Sequence, residues 1–438
     1  MKRLIMLLAV AAGLLVISGG PARPAGPSNI ILLSVDTLRA DRVSIYGYGK
    51  NTTPNLDGLI KNGLMFTDAV TNVPLTNPSF SSLFTSRYPH ETGAIRNGIP
   101  MKVDEKKPTL AMILKKNGYS TAAVLSNWPL KRHLSQLEIG FDLYEDDFNE
   151  KRWLFFNDER DAKGVTECAL DWLGRKPKEP FFAWVHYSDP HAPYEKHSGF
   201  EFSSGDVNNS NYDSEVAYTD HYIGALLEQL KAQGLLERTL IVFIADHGES
   251  LGEHDYVGHG RNLYQQTLRV PVAIIGPGIP KGVKESAPIQ LLDLTPTILS
   301  YAGLRIPEEM LGANLMPFIK GEKPYPARTL YSEAYSGAAP QVEGGDKSLN
   351  RPLWVGEKRG SVKLLYSVRY QRWEQYDIAS DPGELKNQVK LGDPGFTAES
   401  DALLAWYREW EDKTVVGDSP MTDVDREKFK ALGYIDTP

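Results

Sequence analysis

The chain has 438 residues, of which 41% are hydrophobic, 24% are charged and 10% are aromatic. This length allows a large core with a smaller second domain, and this balance excludes both a wholly disordered chain and a polytopic membrane protein. The formal net charge of −8 argues against nucleic acid as a partner, because phosphate binding depends on clusters of Lys and Arg. The single cysteine, Cys168, cannot form an internal disulfide.

The first residues predict export. Lys2 and Arg3 precede an apolar run of 14 residues at positions 4–17, and small residues and prolines follow up to Gly26. This order is typical of a secretory signal, and the run is shorter than the roughly 18 residues that a spanning helix needs. We expect residues 1–26 to be a signal peptide and the protein to be periplasmic or extracellular, with no stable membrane insertion after cleavage. The alternative is an uncleaved N-terminal membrane anchor.

Short apolar runs alternate with helical patterns along the next 250 residues or so. The runs occupy positions 30–35, 122–125, 181–185, 240–244 and 272–275. Segment 215–232 has helical spacing, and Gly234 is a plausible stop signal. Continuous apolar strands between helices predict an α/β fold with a mostly parallel central sheet sandwiched by helices.

The pattern changes near Pro324-Tyr325-Pro326, which indicates a domain boundary. Alternating segments at 363–368 and 373–378 predict antiparallel strands, and residues 340–351 have the composition of an exposed loop. We therefore expect a large domain over residues 27–325. A small C-terminal α+β domain, with an antiparallel sheet and a terminal helix, should cover residues 326–438.

Polar residues follow three of the apolar runs within two positions. Asp36, His186 and Asp246 each take this position, and in open α/β sheets the functional crevice lies beyond the carboxyl ends of the strands. Asp246 begins the run Asp246-His247-Gly248-Glu249, and three of the nine histidines lie between positions 247 and 259. Adjacent Asp and His side chains can bind one divalent cation, so this run predicts a metal loop.

The segment at 71–93 contains a hydroxyl in a position that allows two interpretations. Thr76 stands just before Pro78-Ser79, where a helix is expected to start. A hydroxyl there is usually a helix cap. The N-terminus of a helix also favours anions, so the same hydroxyl beside a metal could attack an anionic ester. The residues alone leave both interpretations open.

The order and spacing of several motifs resemble the sulfatase family, within the alkaline-phosphatase superfamily, over nearly all of residues 28–390. The segments that carry the resemblance are residues 29–36, Thr53-Pro54-Asn55-Leu56-Asp57, residues 76–93, Asp189-Pro190-His191-Ala192-Pro193-Tyr194, Asp246-His247-Gly248, Arg269-Val270-Pro271, Asp293-Leu294-Thr295-Pro296-Thr297, Gln375-Tyr376-Asp377 and Asp381-Pro382-Gly383-Glu384 with Asn387. The resemblance implies an alkaline-phosphatase-like fold, with the catalytic domain at 27–325.

Three departures from the family pattern change the expected chemistry. Sulfatases begin their signature with a Cys or Ser that becomes formylglycine, and an Arg follows it; here these positions hold Thr76 and Phe80. Threonine cannot become formylglycine. The usual second Asp after the first strand is Thr37. The pattern is therefore similar to superfamily relatives with a Thr nucleophile, and Asn97 is placed like the substrate-binding Asn of phosphonate monoester hydrolases.

The resemblance also implies a role for each site residue. Asp36, Asp246, His247 and Thr76 would hold one divalent ion, which could be Ca²⁺, Mn²⁺, Mg²⁺ or Zn²⁺. Thr76 would attack the ester, and His191 and His259 would protonate the leaving group or stabilise its charge. Asn97 would bind substrate. Arg87 would orient the nucleophile loop, with a salt bridge on the helix surface as the alternative.

The function expected from these residues is a metal-dependent hydrolase that cleaves a sulfate, phosphate or phosphonate ester through Thr76, with phosphoesters preferred. The substrate would be a small-molecule, glycan or lipid ester. Two alternatives keep the same site: a sulfuric-ester hydrolase that works without formylglycine, and a transferase of phospho-headgroups. A non-catalytic binding module is a further alternative, although the chain keeps Asp36, His247 and Thr76.

Overall fold

The structure is a computed structural model that describes residues 29–148, 159–325, 327–337, 350–414, 416–432 and 434. The predicted signal peptide at 1–26 and most of the predicted loop at 340–351 lie outside these residues. Within the described part of the chain, no helix combines the length and the apolarity needed to cross a membrane.

The strands and helices alternate through the first three quarters of the chain. In chain order the strands are β1 Asn29–Val35, β2 Leu64–Phe66, β3 Ala69–Val70, β4 Ser120–Val124, β5 Leu143–Glu145, β6 Phe181–Tyr187, β7 Thr239–Ala245, β8 Ser250–Leu251, β9 Val257–Gly258, β10 Val272–Ile275, β11 Val283–Glu285, β12 Ile289–Gln290, β13 Leu330–Ala334, β14 Trp354–Arg359, β15 Val362–Ser367 and β16 Arg372–Asp377. The α-helices are α1 Pro54–Ile60, α2 Thr76–Thr85, α3 Pro89–Thr92, α4 Leu110–Lys116, α5 Arg132–Ser135, α6 Ala162–Gly174, α7 Val207–Ala232, α8 Gln265–Leu268, α9 Leu294–Tyr301, α10 Met316–Ile319, α11 Pro394–Arg408 and α12 Asp423–Ala431.

The central sheet has eight strands in the order β11-β2-β10-β7-β1-β6-β4-β5. Its middle is parallel, as predicted: β7, β1, β6, β4 and β5 all run in the same direction. Strand β10 is antiparallel to β7, although its apolar sequence resembles that of the parallel strands. The reason is its connection, because the segment between β7 and β10 contains no helix longer than the four residues of α8. The chain therefore re-enters the sheet from the end at which β7 left it.

Burial on both faces explains the continuous apolar sequences of the middle strands. Every residue of β1, β6 and β7 is buried, and each large apolar side chain contributes roughly 1.5–3 kcal/mol when it leaves water. Helix α7 confirms the predicted helical segment and its end near Gly234. It begins earlier than the spacing indicated, because the Asp206 side chain caps it by accepting from the backbone N–H of Asn209.

Strand register brings the predicted metal residues together. Val35, the last residue of β1, is paired with Ala245, the last residue of β7, and with Tyr187, the last residue of β6. Asp36 and Asp246 are the next residues of their strands, so they leave the sheet side by side at the same edge.

The C-terminal residues form a four-stranded antiparallel sheet, β13-β14-β15-β16, as predicted. Helix α11 packs on this sheet through Phe396 and Leu403, which share a core with Val355 and Leu364. The segment that follows leaves the small sheet. Met421, Phe429 of α12 and Tyr434 instead pack against residues of the large domain, namely Val73, Leu75, Ile95, Ile99 and Leu134, together with Tyr335.

Candidate active site

Three side chains converge at the carboxyl edge of the sheet. His247 Nε2 lies 3.5 Å from Asp36 Oδ1 and 3.4 Å from Asp246 Oδ2, and the three residues are fully buried. Asp36 Oδ1 and Asp246 Oδ2 have no hydrogen-bond partner among the described residues. Two unpartnered carboxylate oxygens and an imidazole nitrogen within 4.8 Å of one another are a suitable donor set for a divalent cation.

The local hydrogen bonds orient this donor set. His247 Nδ1 lies 3.0 Å from the carbonyl oxygen of Gly248, so Nδ1 carries the proton and the Nε2 lone pair faces the carboxylates. The other oxygen of Asp246 accepts from the backbone N–H of His247 at 3.0 Å and of Thr37 at 3.4 Å. Thr37 has a φ of 55°, a conformation that costs energy for a β-branched residue and is found most often at functional sites.

Without a cation this arrangement is electrostatically unfavourable. Burial, and then the charges of Asp246, Glu159 and Glu249, raise the pKa of Asp36 well above its ordinary value. Burial raises the pKa of Asp246 to about 7 and lowers the pKa of His247 well below its ordinary value. A bound divalent cation would offset the cost of ionising both carboxylates, so the residues present fit the metal that the sequence predicts.

Gly248 lets the backbone turn after the metal residues. A Cβ at this position would overlap the backbone carbonyl oxygen of Gln266. The N–H of Gly248 donates to the carbonyl of Thr267 at 2.8 Å, which fixes the loop against the segment that leads to β10. The glycine is therefore needed for the close approach of two backbone segments.

Thr76 is the first residue of α2, and its hydroxyl faces the metal residues. Thr76 Oγ1 lies 3.3 Å from His247 Nε2 and is completely buried. Leu75, at the N-cap position, provides no side-chain cap. Thr76 therefore does not occupy the N-cap position of α2. Phe80, one turn later, packs against Trp184 and His186 and fills the space where the family pattern has an Arg.

His191 and His259 meet around a tyrosine that the sequence patterns do not indicate. The hydroxyl of Tyr434 lies 2.7 Å from His191 Nε2 and 3.3 Å from His259 Nε2. The Thr76 hydroxyl is a further neighbour of this phenol. Burial and the charge of Asp36 raise the pKa of Tyr434 well above its ordinary value, so its hydroxyl keeps its proton.

The Nδ1 atoms of His191 and His259 each contact a hydrogen-bond acceptor. His259 Nδ1 lies 2.9 Å from Oε1 of Glu249, a buried carboxylate in the same loop as the metal residues. His191 Nδ1 lies 2.7 Å from the carbonyl oxygen of Ala192. Each Nδ1 must therefore donate, and each Nε2 faces the hydroxyl of Tyr434.

The structure places Asn97 against Asn77, the residue after Thr76, and Arg87 away from Thr76. Asn97 Oδ1 accepts from the backbone N–H of Asn77 at 3.0 Å, and its side-chain nitrogen is buried with no partner in the described chain. Arg87 follows the far end of α2, roughly 16 Å along the helix axis from Thr76. Its guanidinium lies 3.7 Å from Glu91, which is the salt bridge named as the alternative. Among the described residues, no side-chain hydrogen bond or ion pair of Arg87 supports its predicted role in orienting the nucleophile.

Two more residues of the site were missed. Asn127 donates its side-chain N–H to Asp36 Oδ2, and its own Oδ1 is buried without a partner among the described residues. It follows β4 by three residues, so the rule that singled out Asp36 and Asp246 could have found it. The negative charge of Glu159 helps to raise the pKa of Asp36 and of Tyr434. His186, the third polar residue after a strand, lies 3.9 Å from Asp36, and burial lowers its pKa to about 3.

Comparison with known families decides the classification. The family model described as Sulfatase matches residues 28–304, and a model described as N-sulphoglucosamine sulphohydrolase, C-terminal, matches residues 252–403. The chain belongs to the sulfatase family. As a member of this family, it is an ester hydrolase of the sulfatase superfamily.

Similar proteins include sulfatases that act on glycans. An ulvan-active sulfatase of Formosa agariphila is 30% identical over 347 residues, which are 69% of this chain and 66% of that protein. A Delta 4,5-hexuronate-2-O-sulfatase of Bacteroides thetaiotaomicron is 24% identical, with 90% of this chain and 91% of that protein covered. A phosphonate monoester hydrolase from Silicibacter pomeroyi has the same fold, with a TM-score of 0.69 at 22% identity, over 88% of this chain and 96% of that chain.

These comparisons confirm the predicted fold class, an α/β sheet flanked by helices with a small C-terminal sheet domain. The family match and the sulfatase relatives also support ester hydrolysis. Divalent metal ions are general in this family, and the described residues contain a fitting Asp and His cluster.

Proposed function

We propose that this sulfatase-family protein hydrolyses phosphate or phosphonate esters, in preference to sulfate esters, with Thr76 as the nucleophile. The observation that carries the proposal is the buried Thr76 hydroxyl, 3.3 Å from His247 Nε2 within the metal cluster. Threonine has no route to formylglycine, so the family's usual nucleophile is absent. The start of α2 adds little to the binding of an anion, because Pro78 has no N–H and the backbone N–H groups of Asn77 and Ser79 already donate to Asn97 Oδ1 and the carbonyl of Leu75.

Asp36, Asp246 and His247, with the Thr76 hydroxyl, would hold the cation. When bound, the cation lowers the pKa of a nearby hydroxyl and neutralises ester oxygens. The residues then act in a fixed order. Thr76 Oγ attacks phosphorus or sulfur in line with the leaving oxygen and forms a covalent intermediate, which water hydrolyses. His191 and His259 would protonate the leaving oxygen or stabilise its charge, and the side-chain N–H of Asn97 would contact the substrate.

The substrate would be a small-molecule, glycan or lipid ester, and the protein would be exported to the periplasm or the exterior. The glycan sulfatases among the similar proteins support a glycan ester. The acidity of the site also limits the substrate. Glu159 and Glu249 lie near Asp36 in addition to the metal carboxylates, so an anionic ester requires the cation before it can bind.

The test is a panel of p-nitrophenyl sulfate, phosphate, bis-phosphate and phenylphosphonate esters, each with Ca²⁺, Mn²⁺, Mg²⁺ or Zn²⁺. We expect the phosphoesters to be cleaved faster than the sulfate. Thr76→Ala should reduce kcat by roughly 10³-fold or more while metal binding persists. Thr76→Ser, which keeps the hydroxyl, should retain most of the activity. Full esterase activity in Thr76→Ala with bound metal would exclude Thr76 as the nucleophile.

A second candidate is a sulfuric-ester hydrolase that works without formylglycine, because the curated relatives named above are sulfatases. The same panel separates the two candidates. Sulfate turnover far above that of the phosphoesters would establish the second candidate, and loss of that turnover in Thr76→Ala would keep the same nucleophile.

A further inference from the structure

A cavity of about 570 Å³ lies where the large domain meets the end of α11. Its volume is within the range of roughly 300–1,000 Å³ that is usual for small-molecule sites, which are common at domain interfaces. The cavity is separate from the active site. Tyr88 and His90, which line it, follow the far end of α2, and α2 is roughly 14 Å long from its start at Thr76. The cavity therefore needs an explanation of its own.

One wall of this cavity consists of aromatic rings in fixed positions. The ring of Trp410 lies flat on that of His90, with centroids 4.0 Å apart and 2° between the planes. His90 Nδ1 lies 2.6 Å from Oε1 of the buried Glu333, which holds the imidazole in place. Tyr88 meets Trp406 edge to face at 5.7 Å, and both of these rings are partly exposed. Because the rings are already packed, a ligand that lies against them has little side-chain ordering to offset.

The cavity also has a surplus of positive charge. Three exposed lysines line it, and none of them forms an ion pair within the described part of the chain; they are Lys102, Lys107 and Lys413. Two glutamates line it as well. Glu91 lies 3.7 Å from the guanidinium of Arg87, which leaves Glu409 to balance three positive charges. In a chain with a net charge of −8, this local surplus attracts an anionic ligand.

The combination of rings and lysines limits the class of ligand. A sugar ring has apolar C–H faces that pack on aromatic rings, and its carboxylate or sulfate groups can pair with lysines. A neutral sugar would leave the lysines without a role, and an acidic peptide without aromatic residues would leave the rings without one. The cavity is too small for a folded partner but accommodates a short segment of an extended chain.

We propose that this cavity is an exosite for an anionic oligosaccharide, a short chain of hexose rings that carry carboxylate or sulfate groups. Tyr88 and Trp406 contact the sugar rings, and the three lysines bind the acidic groups. The binding involves no step at Thr76, so the exosite does not depend on the esterase function proposed above. A glycan held here would have a raised effective concentration at the active site of the same molecule.

The test is titration calorimetry of the metal-bound protein with three hexasaccharides: an oligogalacturonate, a sulfated galactan and the neutral maltohexaose. The first has carboxylates and no ester, so its binding is measured without turnover. We expect both anionic chains to bind at least about 10-fold more tightly than the neutral one, and more weakly as salt is added. The tighter of the two identifies the acidic group that the lysines prefer.

A triple variant tests the lysines. Lys102→Gln, Lys107→Gln and Lys413→Gln together should weaken binding of the anionic chains by about 10-fold or more. The matched control removes the same charge at exposed positions outside the cavity, with the substitutions Lys61→Gln, Lys178→Gln and Lys320→Gln. The control variant should bind as the wild-type protein does. Equal losses in the two triple variants would reduce the effect to long-range charge and overturn the exosite, as would unchanged binding in the cavity variant.

A second pair of variants tests the aromatic wall. Trp406→Leu should weaken binding about 5-fold, whereas Trp406→Phe, which keeps a ring, should restore most of it. The melting temperature of each variant shows whether the protein remains folded. Equal affinity for maltohexaose, equal affinity for a hexa-aspartate peptide, or equal binding by the Leu and Phe variants would contradict a site for anionic sugars. If the wild-type protein cleaves no ester, the proposed function fails and these binding results still decide the exosite.

Discussion

The two halves of the site are built in different ways. In the metal half, Asp36 and Asp246 directly follow neighbouring parallel strands, and His247 is the residue after Asp246. The other half, called the ester half below, combines Thr76 at the start of a helix, His191 in a loop, and Tyr434 from beyond α12. The first half takes its geometry from strand register, whereas the second depends on how separate segments pack together.

This difference shows which part of the site can change in sequence: the metal-binding residues or the residues that act on the ester. A cation needs several ligands at once, so a change in the metal half removes the whole function. The ester half varies more freely: the family pattern has Cys or Ser at the position where this chain has Thr76, while the metal half keeps its place on the sheet.

The largest expected effect is in the metal half. Asp246→Asn removes one anionic ligand from a buried cluster, and we expect esterase activity to fall by roughly 10³-fold or more, with a corresponding loss of metal affinity. Titration calorimetry with Ca²⁺ and Mn²⁺ measures the affinity. Asp401→Asn, an exposed position on α11, is the matched control. Unchanged metal affinity in Asp246→Asn would show that the cation is held elsewhere.

The next effect concerns the turn at Gly248, directly after the metal residues. In Gly248→Ala the new methyl group overlaps the carbonyl of Gln266, so the backbone must move and carry His247 with it. We expect a loss of about 10²-fold in kcat, because displacements near 1 Å have costs of this order. Gly174→Ala, at the end of α6, adds a methyl group in open space and should change nothing. Wild-type kcat in Gly248→Ala would show that the loop tolerates the shift.

A smaller effect is expected for the carboxylate that orients His259. Glu249→Gln keeps an oxygen that can accept from Nδ1 but removes the charge. We expect kcat to fall about 10-fold, as is common for groups that support a functional histidine. Glu249→Ala should lose more, because the ring is then free to turn. Glu237→Gln, an exposed change, serves as control. Equal activities of the Gln and Ala variants would contradict an orienting role.

The smallest effect is in the stability of the metal-free protein. The pKa of Asp246 is raised to about 7 in the folded state, so its contribution to stability is present at acid pH and is lost as pH rises through about 7. Without metal, Asp246→Asn should therefore melt several degrees above the wild-type protein at pH 8, and the difference should shrink toward pH 5. Calorimetry in a chelator, repeated with added Ca²⁺, measures the melting temperatures of both proteins. A difference in melting temperature that does not change with pH would contradict the raised pKa of Asp246.

Much of the fold and the metal half could be predicted from the sequence. Continuous apolar runs gave the parallel strands, and the residues after them gave Asp36 and Asp246, because strand ends meet at one edge. The direction of β10 could not be read from its own sequence, since it depends on the absence of a crossover helix before it.

The ester half was predictable only in part. The family's motif order indicated Thr76 and His191, and the structure brings both to the metal residues. Arg87 shared the motif but lies beyond the far end of α2. Tyr434 carries no local signal, because its position depends on long-range packing of α12 against Val73, Leu75 and Ile95.

The anchoring of Tyr434 also has a thermodynamic consequence. Segments with few buried contacts open with a lower free energy than the whole domain. The segment around α12 is held by the buried side chains of Met421, Phe429 and Tyr434, whereas every residue of β1 and β7 is buried. In mild denaturant or on gentle heating, catalysis should therefore be lost by local opening around α12 before the central sheet begins to unfold.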